Sequence, residues 1–143
     1  MWRKVLDLFV KKTNPNGHVV RKKILIVDDN EIDRRIIQRL LVKANYDLII
    51  AEDGEKALQL VKKERPDLIL LDCVMPGLSG TDVCQILKKD KEFKNIPVIF
   101  LTGMDTPTYV INCYDLGADQ YLTKPINSRE LISQIDMTLK GVN

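Results

Sequence analysis

At 143 residues the chain has material for one compact domain with a core and little besides. Its 22 basic and 20 acidic residues leave a formal net charge of +2, which excludes a strong nucleic-acid-binding field, and the 45% hydrophobic content excludes a disordered or fibrous chain. Cys73, Cys84 and Cys113 form neither a Cys-x-x-Cys pair nor a zinc spacing and read as reduced thiols of a cytosolic protein.

No apolar run approaches the roughly 20 residues of a membrane helix. At the N-terminus, Lys4, Asp7 and Lys11 interrupt the apolar residues, unlike the unbroken core of a secretory signal. Trp2, Val5, Leu6 and Phe9 nevertheless lie on one helical face. A helix from about Trp2 to Lys12, docked on protein, is the expectation; contact of residues 1–12 with an anionic membrane and a disordered tail are the alternatives. Asn14-Pro-Asn-Gly17 reads as a linker, so residues 1–21 form an extension and 22–143 the domain. His18, the sole histidine, falls in that linker and reads as an incidental surface residue.

From residue 24 onward, strand and helix alternate five times. Ile24-Leu25-Ile26-Val27 is an apolar run ending at Asp28-Asp29, and Ile32, Ile36, Ile37, Leu40 and Leu41 follow at helical spacing. Leu48 to Ala51 is the second strand, with Ala57, Leu58 and Val61 marking its helix. Leu68 to Leu71 stops at Asp72, before a helix marked by Val83, Ile86 and Leu87. Val98 to Leu101 stops at Thr102, before Val110, Ile111 and Tyr114. Gln120-Tyr121-Leu122 precedes Lys124-Pro125, and Leu131, Ile132, Ile135 and Leu139 mark the last helix. Ser79 to Asp82 and Asn127 to Glu130 have capping-box spacing, and Gly117 marks a helix end. Strands apolar on both faces need cover on both, so the expectation is α/β, an open parallel sheet with helices on each side.

The polar residues gather at the carboxyl ends of these strands, the sheet edge where this architecture binds ligands. If the first and third strands are neighbours, Asp28, Asp29 and Asp72 meet in one cleft. Close carboxylates repel, and a hard divalent cation relieves the repulsion; an all-oxygen donor set suits Mg²⁺ or Mn²⁺. Lys124 adds an ammonium. Such a site stabilises charge on a transferring phosphoryl group and lets a carboxylate act as nucleophile. Each residue alone has a plainer reading, as helix cap, turn residue or local hydrogen-bonder. It is their order, each at its own strand end, that favours the chemical one.

Ile-Leu-Ile-Val-Asp-Asp at 24–29, Leu-Leu-Asp-Cys-Val-Met-Pro-Gly at 70–77, Thr-Gly at 102–103 and Gly-Ala-Asp-Gln-Tyr-Leu-Thr-Lys-Pro at 117–125 closely resemble the response-regulator receiver family, over roughly residues 22–140. The resemblance implies a flavodoxin-like (βα)5 fold with a doubly wound five-stranded parallel sheet, strand order 2-1-3-4-5. It implies Asp72 as phosphoacceptor, with Mg²⁺ (or Mn²⁺) held directly by Asp29, largely through water by Asp28, and by Asp72 and the Val74 carbonyl. Lys124 would bind the phosphoryl group, Thr102 and Tyr121 would form the switch, and the Lys124–Pro125 peptide would be cis.

The implied partners are a sensor histidine kinase or histidine phosphotransfer protein and a downstream protein target. The chain would be a cytoplasmic signalling phosphoprotein rather than an enzyme. Because it ends three residues after Lys140, it is expected to act as a single-domain regulator without direct DNA binding, or else to be a receiver fragment of a larger regulator or hybrid kinase. Two departures stand out: Gly103 replaces the common alanine, and Val74 and Met104 are apolar where the family often carries polar residues.

Other classes fit less well. A flavodoxin-like electron carrier needs a phosphate-cradling loop where Asp28-Asp29-Asn30 stands. An aspartyl-phosphate phosphatase wants a second Asp after Asp72-Cys73. A nucleotide hydrolase needs a Gly-x-x-x-x-Gly-Lys loop, which the sequence lacks.

Overall fold

The computed structural model describes residues 13, 15–18 and 20–141. Five strands, β1 (Lys23–Val27), β2 (Asp47–Ala51), β3 (Leu68–Leu71), β4 (Val98–Thr102) and β5 (Gln120–Thr123), alternate with five helices, α1 (Glu31–Val42), α2 (Gly54–Glu64), α3 (Gly80–Lys89), α4 (Pro107–Asp115) and α5 (Ser128–Leu139). The strands are all parallel, in the order β2-β1-β3-β4-β5. The expected elements are present in the expected order. The helix foreseen for residues 2–12 lies outside the described residues, and His18 is exposed.

Strand side chains alternate between faces, and the two faces are closed by different helices. Leu25, Val27, Ile69, Leu71, Val98 and Phe100 pack beneath Ala57 and Val61 of α2, Val83, Cys84 and Leu87 of α3, and Cys113 of α4. Ile24, Ile26, Leu68, Leu70, Ile99 and Leu101 pack against Ile37 and Leu41 of α1 and Leu131 and Ile135 of α5. Phe100 is fully buried, so Phe100→Ala would cost about 3–5 kcal/mol.

Local chemistry sets the helix starts. Asn30, Asp53 and Asn127 accept from the backbone N–H three residues on, at 3.0, 2.8 and 3.1 Å. Ser79 and Asp82 form the full reciprocal capping box. At Asn127 only the side chain-to-Glu130 half of the expected box is formed. Helix α4 is the exception: Thr106 makes no side-chain cap bond, Pro107 opens the helix, and Cys113 is its one buried residue. A helix held by so little apolar surface belongs to the low-stability end of the molecule.

Candidate functional site

Backbone pairing continues past the strands and fixes where the polar residues stand. The N–H of Asp72 donates to the Val27 carbonyl at 3.0 Å, carrying the β1–β3 pairing one residue beyond β3. Likewise the N–H of Lys124 donates to the Thr102 carbonyl at 2.9 Å, and that of Asp28 to the Ala51 carbonyl at 3.2 Å. The ends of β1, β3, β4 and β5 thus open on one cleft. The Lys124–Pro125 peptide is cis.

Asp28, Asp29 and Asp72 each present a carboxylate oxygen within 4.8 Å of the other two. Asp28 and Asp72 are buried, and Asp29 is exposed at the mouth. The Asp28 carboxylate is already engaged on both oxygens: Oδ1 accepts from the Asn30 N–H at 2.9 Å and Oδ2 from Lys124 Nζ at 2.7 Å. Lys124 also donates to Asp33 at 2.9 Å and reaches Asp72 at 3.5 Å. Burial pushes the Asp72 carboxyl above the usual aspartate range; Lys124, Thr102 and the Val74 backbone pull it back, and Asp28 pushes it further up. For Lys124 burial works against the charge, but the bonds to Asp28 and Asp33 prevail and hold it above the ordinary lysine value.

This donor set fits a hard divalent cation. It is all oxygen, it concentrates like charge that Lys124 only partly offsets, and the exposure of Asp29 leaves the mouth open for water and substrate oxygens. Asp28, Asp29 and Asp72 are the side chains that would hold the ion.

The remaining residues singled out in the sequence lie around the cleft. Thr102, buried at the end of β4, accepts from the Met104 N–H at 3.4 Å. The Tyr121 hydroxyl donates to the Met104 carbonyl, and its ring lies 6.2 Å from that of Phe100. Thr102 and Tyr121 are therefore joined through one residue, Met104, at the start of the loop leading to α4. Val74 and Met104 are both partly exposed, at 56% and 38%.

Three residues of the site were not singled out from the sequence. Asp33 is the third carboxylate bound to Lys124, beside Asp28 and Asp72. Its position four residues after Asp29, one turn into α1, was the available signal. Arg34 donates to the Asp28 carbonyl at 2.7 Å. Gly80 donates its N–H to the Cys73 carbonyl at 2.8 Å, and a Cβ there would lie 1.8 Å from the Asp72 carbonyl oxygen, so the turn that presents Asp72 needs glycine. The cysteines, distant in sequence, are free and buried, with Cys73 Sγ and Cys113 Sγ 4.0 Å apart.

Comparison with known proteins agrees with this geometry. The family described as "Response regulator receiver domain" matches residues 24–136. The alkaline phosphatase synthesis transcriptional regulatory protein PhoP of Bacillus subtilis is 40% identical over 121 residues, 85% of this chain and 50% of that protein. The chain spans about half the length of the curated relatives it matches. The structure of the Vibrio cholerae chemotaxis protein CheY4 superposes with a TM-score of 0.77 at 29% identity, covering 82% of this chain and 98% of that one. The receiver domain of the Francisella response regulator 1452 gives 0.78 at 33% identity, covering 85% and 98%. No described helix is long and apolar enough to cross a membrane. Sheet order, sequence match and structural likeness agree: the chain belongs to the response regulator receiver domain family.

Proposed function

We propose that Asp72 accepts a phosphoryl group from a sensor histidine kinase or histidine phosphotransfer protein, in the presence of Mg²⁺, and that the charge so added resets a protein-binding surface through Thr102 and Tyr121. The observation that carries this reading is the placement of Asp72: a buried carboxylate within 4.8 Å of Asp28 and Asp29 and 3.5 Å from the Lys124 ammonium. Mg²⁺, when bound by Asp28, Asp29, Asp72 and the Val74 carbonyl, supplies positive charge against the anionic phosphoryl oxygens.

The chain's own residues do the rest. An Asp72 carboxylate oxygen forms a bond to phosphorus as the bond from phosphorus to the donor atom breaks, and that electron pair leaves with the donor. Lys124 donates hydrogen bonds to the phosphoryl oxygens. The Thr102 hydroxyl turns from its contact with Met104 toward the new acceptors, and the Met104–Tyr121 bond links that movement to α4. The setting is cytoplasmic, and the output is contact with a protein target.

A second reading, the receiver unit of a longer regulator, is favoured by the half-length coverage of the curated relatives, whose names describe transcriptional regulators. In that case output, including any DNA binding, would reside in the other half.

The test is intact mass after incubation with phosphoramidate, with and without Mg²⁺. The unaltered chain gains one phosphoryl group only with Mg²⁺, and Asp72→Asn gains none. Equal labelling of both would overturn the assignment.

A further inference from the structure

A lysine ammonium has three hydrogens to donate, and at Lys124 three carboxylates share them. Asp28 takes the shortest bond at 2.7 Å, Asp33 the next at 2.9 Å, and Asp72 the longest at 3.5 Å. Asp28 lies at the floor, its side chain 1% exposed, whereas the Asp33 side chain stands at the rim, 35% exposed. The first turn of α1 sets Asp33 there, with its N–H held by the Asn30 side chain at 3.0 Å. On this outer side Asp33 and Lys124 line a cleft of about 180 Å³ whose other walls are Ile36, Ile37, Pro125 and Ile126. Among those lining residues, only Asp33 offers the ammonium a charged partner.

We infer that Asp33 is a positioning residue that tethers Lys124 toward α1, so that Lys124 must leave Asp33 to meet the phosphoryl group arriving at Asp72. The inference rests on Asp72 as phosphoacceptor and deepens that reading. Two effects follow with the same sign. Breaking the Lys124–Asp33 bond is a cost met during phosphoryl transfer. The Asp33 carboxylate also adds negative charge at the mouth through which an anionic donor passes. A tether at a partly exposed position is weak, so its removal accelerates transfer by a modest factor, about two- to fivefold. Were the contact instead to hold Lys124 ready for the phosphoryl group, removing Asp33 would slow transfer.

The test uses the full chain, unaltered and as Asp33→Asn, Asp33→Ala and Asp33→Glu, with Mg²⁺ and subsaturating phosphoramidate. Labelling is followed by intact mass at low and high salt, and folding by circular dichroism. Both uncharged variants, or whichever of them folds, label about two- to fivefold faster than the unaltered chain and lose part of its salt dependence. Asp33→Glu restores the slow rate and the salt response, which a purely structural role for Asp33 would not demand. An unchanged or lowered rate in the folded uncharged variants overturns the tether while leaving the phosphoacceptor reading intact. A failure of the unaltered chain to label at all overturns that reading, and the tether with it.

Discussion

Asp72 and Gly80 stand eight residues apart in sequence, yet a Cβ on Gly80 would come within 1.8 Å of the Asp72 carbonyl oxygen. The chain folds back after β3 and lays the first residue of α3 directly on the backbone of the candidate nucleophile. That contact is backbone against backbone and has no flexible side chain to yield.

Gly80→Ala is therefore expected to destabilise the protein by about 3 kcal/mol or more and to disturb the presentation of Asp72. Gly103→Ala is the control, because nothing lies within 4 Å of a Cβ at Gly103, and it should stay within about 0.5 kcal/mol. Urea denaturation of both variants checks this; a Gly80→Ala protein as stable as the parent would contradict the close approach.

Stability should also report the strain at Asp72. Its carboxyl is raised by burial above the ordinary value of 3.8, so near and above that value the folded state holds the proton more tightly than the unfolded chain. Stability from this group then falls as pH rises from the unfolded value through the folded one, and the penalty is complete above the folded value. Without divalent cations at neutral pH, Asp72→Asn should be more stable than the parent by on the order of 1 kcal/mol. The difference should shrink at low pH, and also on adding Mg²⁺, because the proposed binding to the folded parent would stabilise it. Denaturation at acid and neutral pH, with and without Mg²⁺, measures all three; a parent more stable than Asp72→Asn at neutral pH without metal would contradict the account.

Asp28 and Asp29 should differ as ligands. Both Asp28 oxygens already accept hydrogen bonds, from Asn30 and Lys124, whereas Asp29 is exposed at the mouth. Calorimetric titration with Mg²⁺ should show the larger loss of affinity in Asp29→Ala, about tenfold or more, and the smaller in Asp28→Ala. The reverse order would exchange their roles.

The outline of this fold and the strand-end residues of its site were legible because both are written locally. Four-residue apolar runs ending in Asp28, Asp72 and Thr102 signal buried strands and their carboxyl ends at once, and Lys124 follows the fifth strand by the same logic. Asp33 was not legible. It sits among polar residues on an amphipathic helix, and only the path of the chain around Pro125 brings Lys124 to it from 91 positions away. The Cys73–Cys113 approach and the demand for glycine at Gly80 are likewise set by how loops cross above the sheet, which periodicity does not encode. The same holds for α4, whose apolar pattern gives no warning that Cys113 alone is buried.

Thr102 and Tyr121 both contact Met104, one through its N–H and the other through its carbonyl. With a phosphoryl mimic such as beryllofluoride bound, resonances of the Thr102 methyl and the Tyr121 ring should shift together, along with those of the weakly held α4. In Thr102→Ala the Tyr121 response should be lost or reduced several-fold. An undiminished Tyr121 shift in that variant would show that the two side chains are not coupled.

The most direct test of the central claim is to trap the modified residue. An acyl phosphate on an aspartate is reduced by borohydride to a primary alcohol at that side chain, which survives digestion and is located by peptide mass spectrometry. After treatment with phosphoramidate and Mg²⁺, the account predicts the reduced side chain at residue 72, directly after Leu71. Reduction found at residue 28, 29 or 33 in place of 72, or a stable phosphoryl group mapped elsewhere, would contradict it.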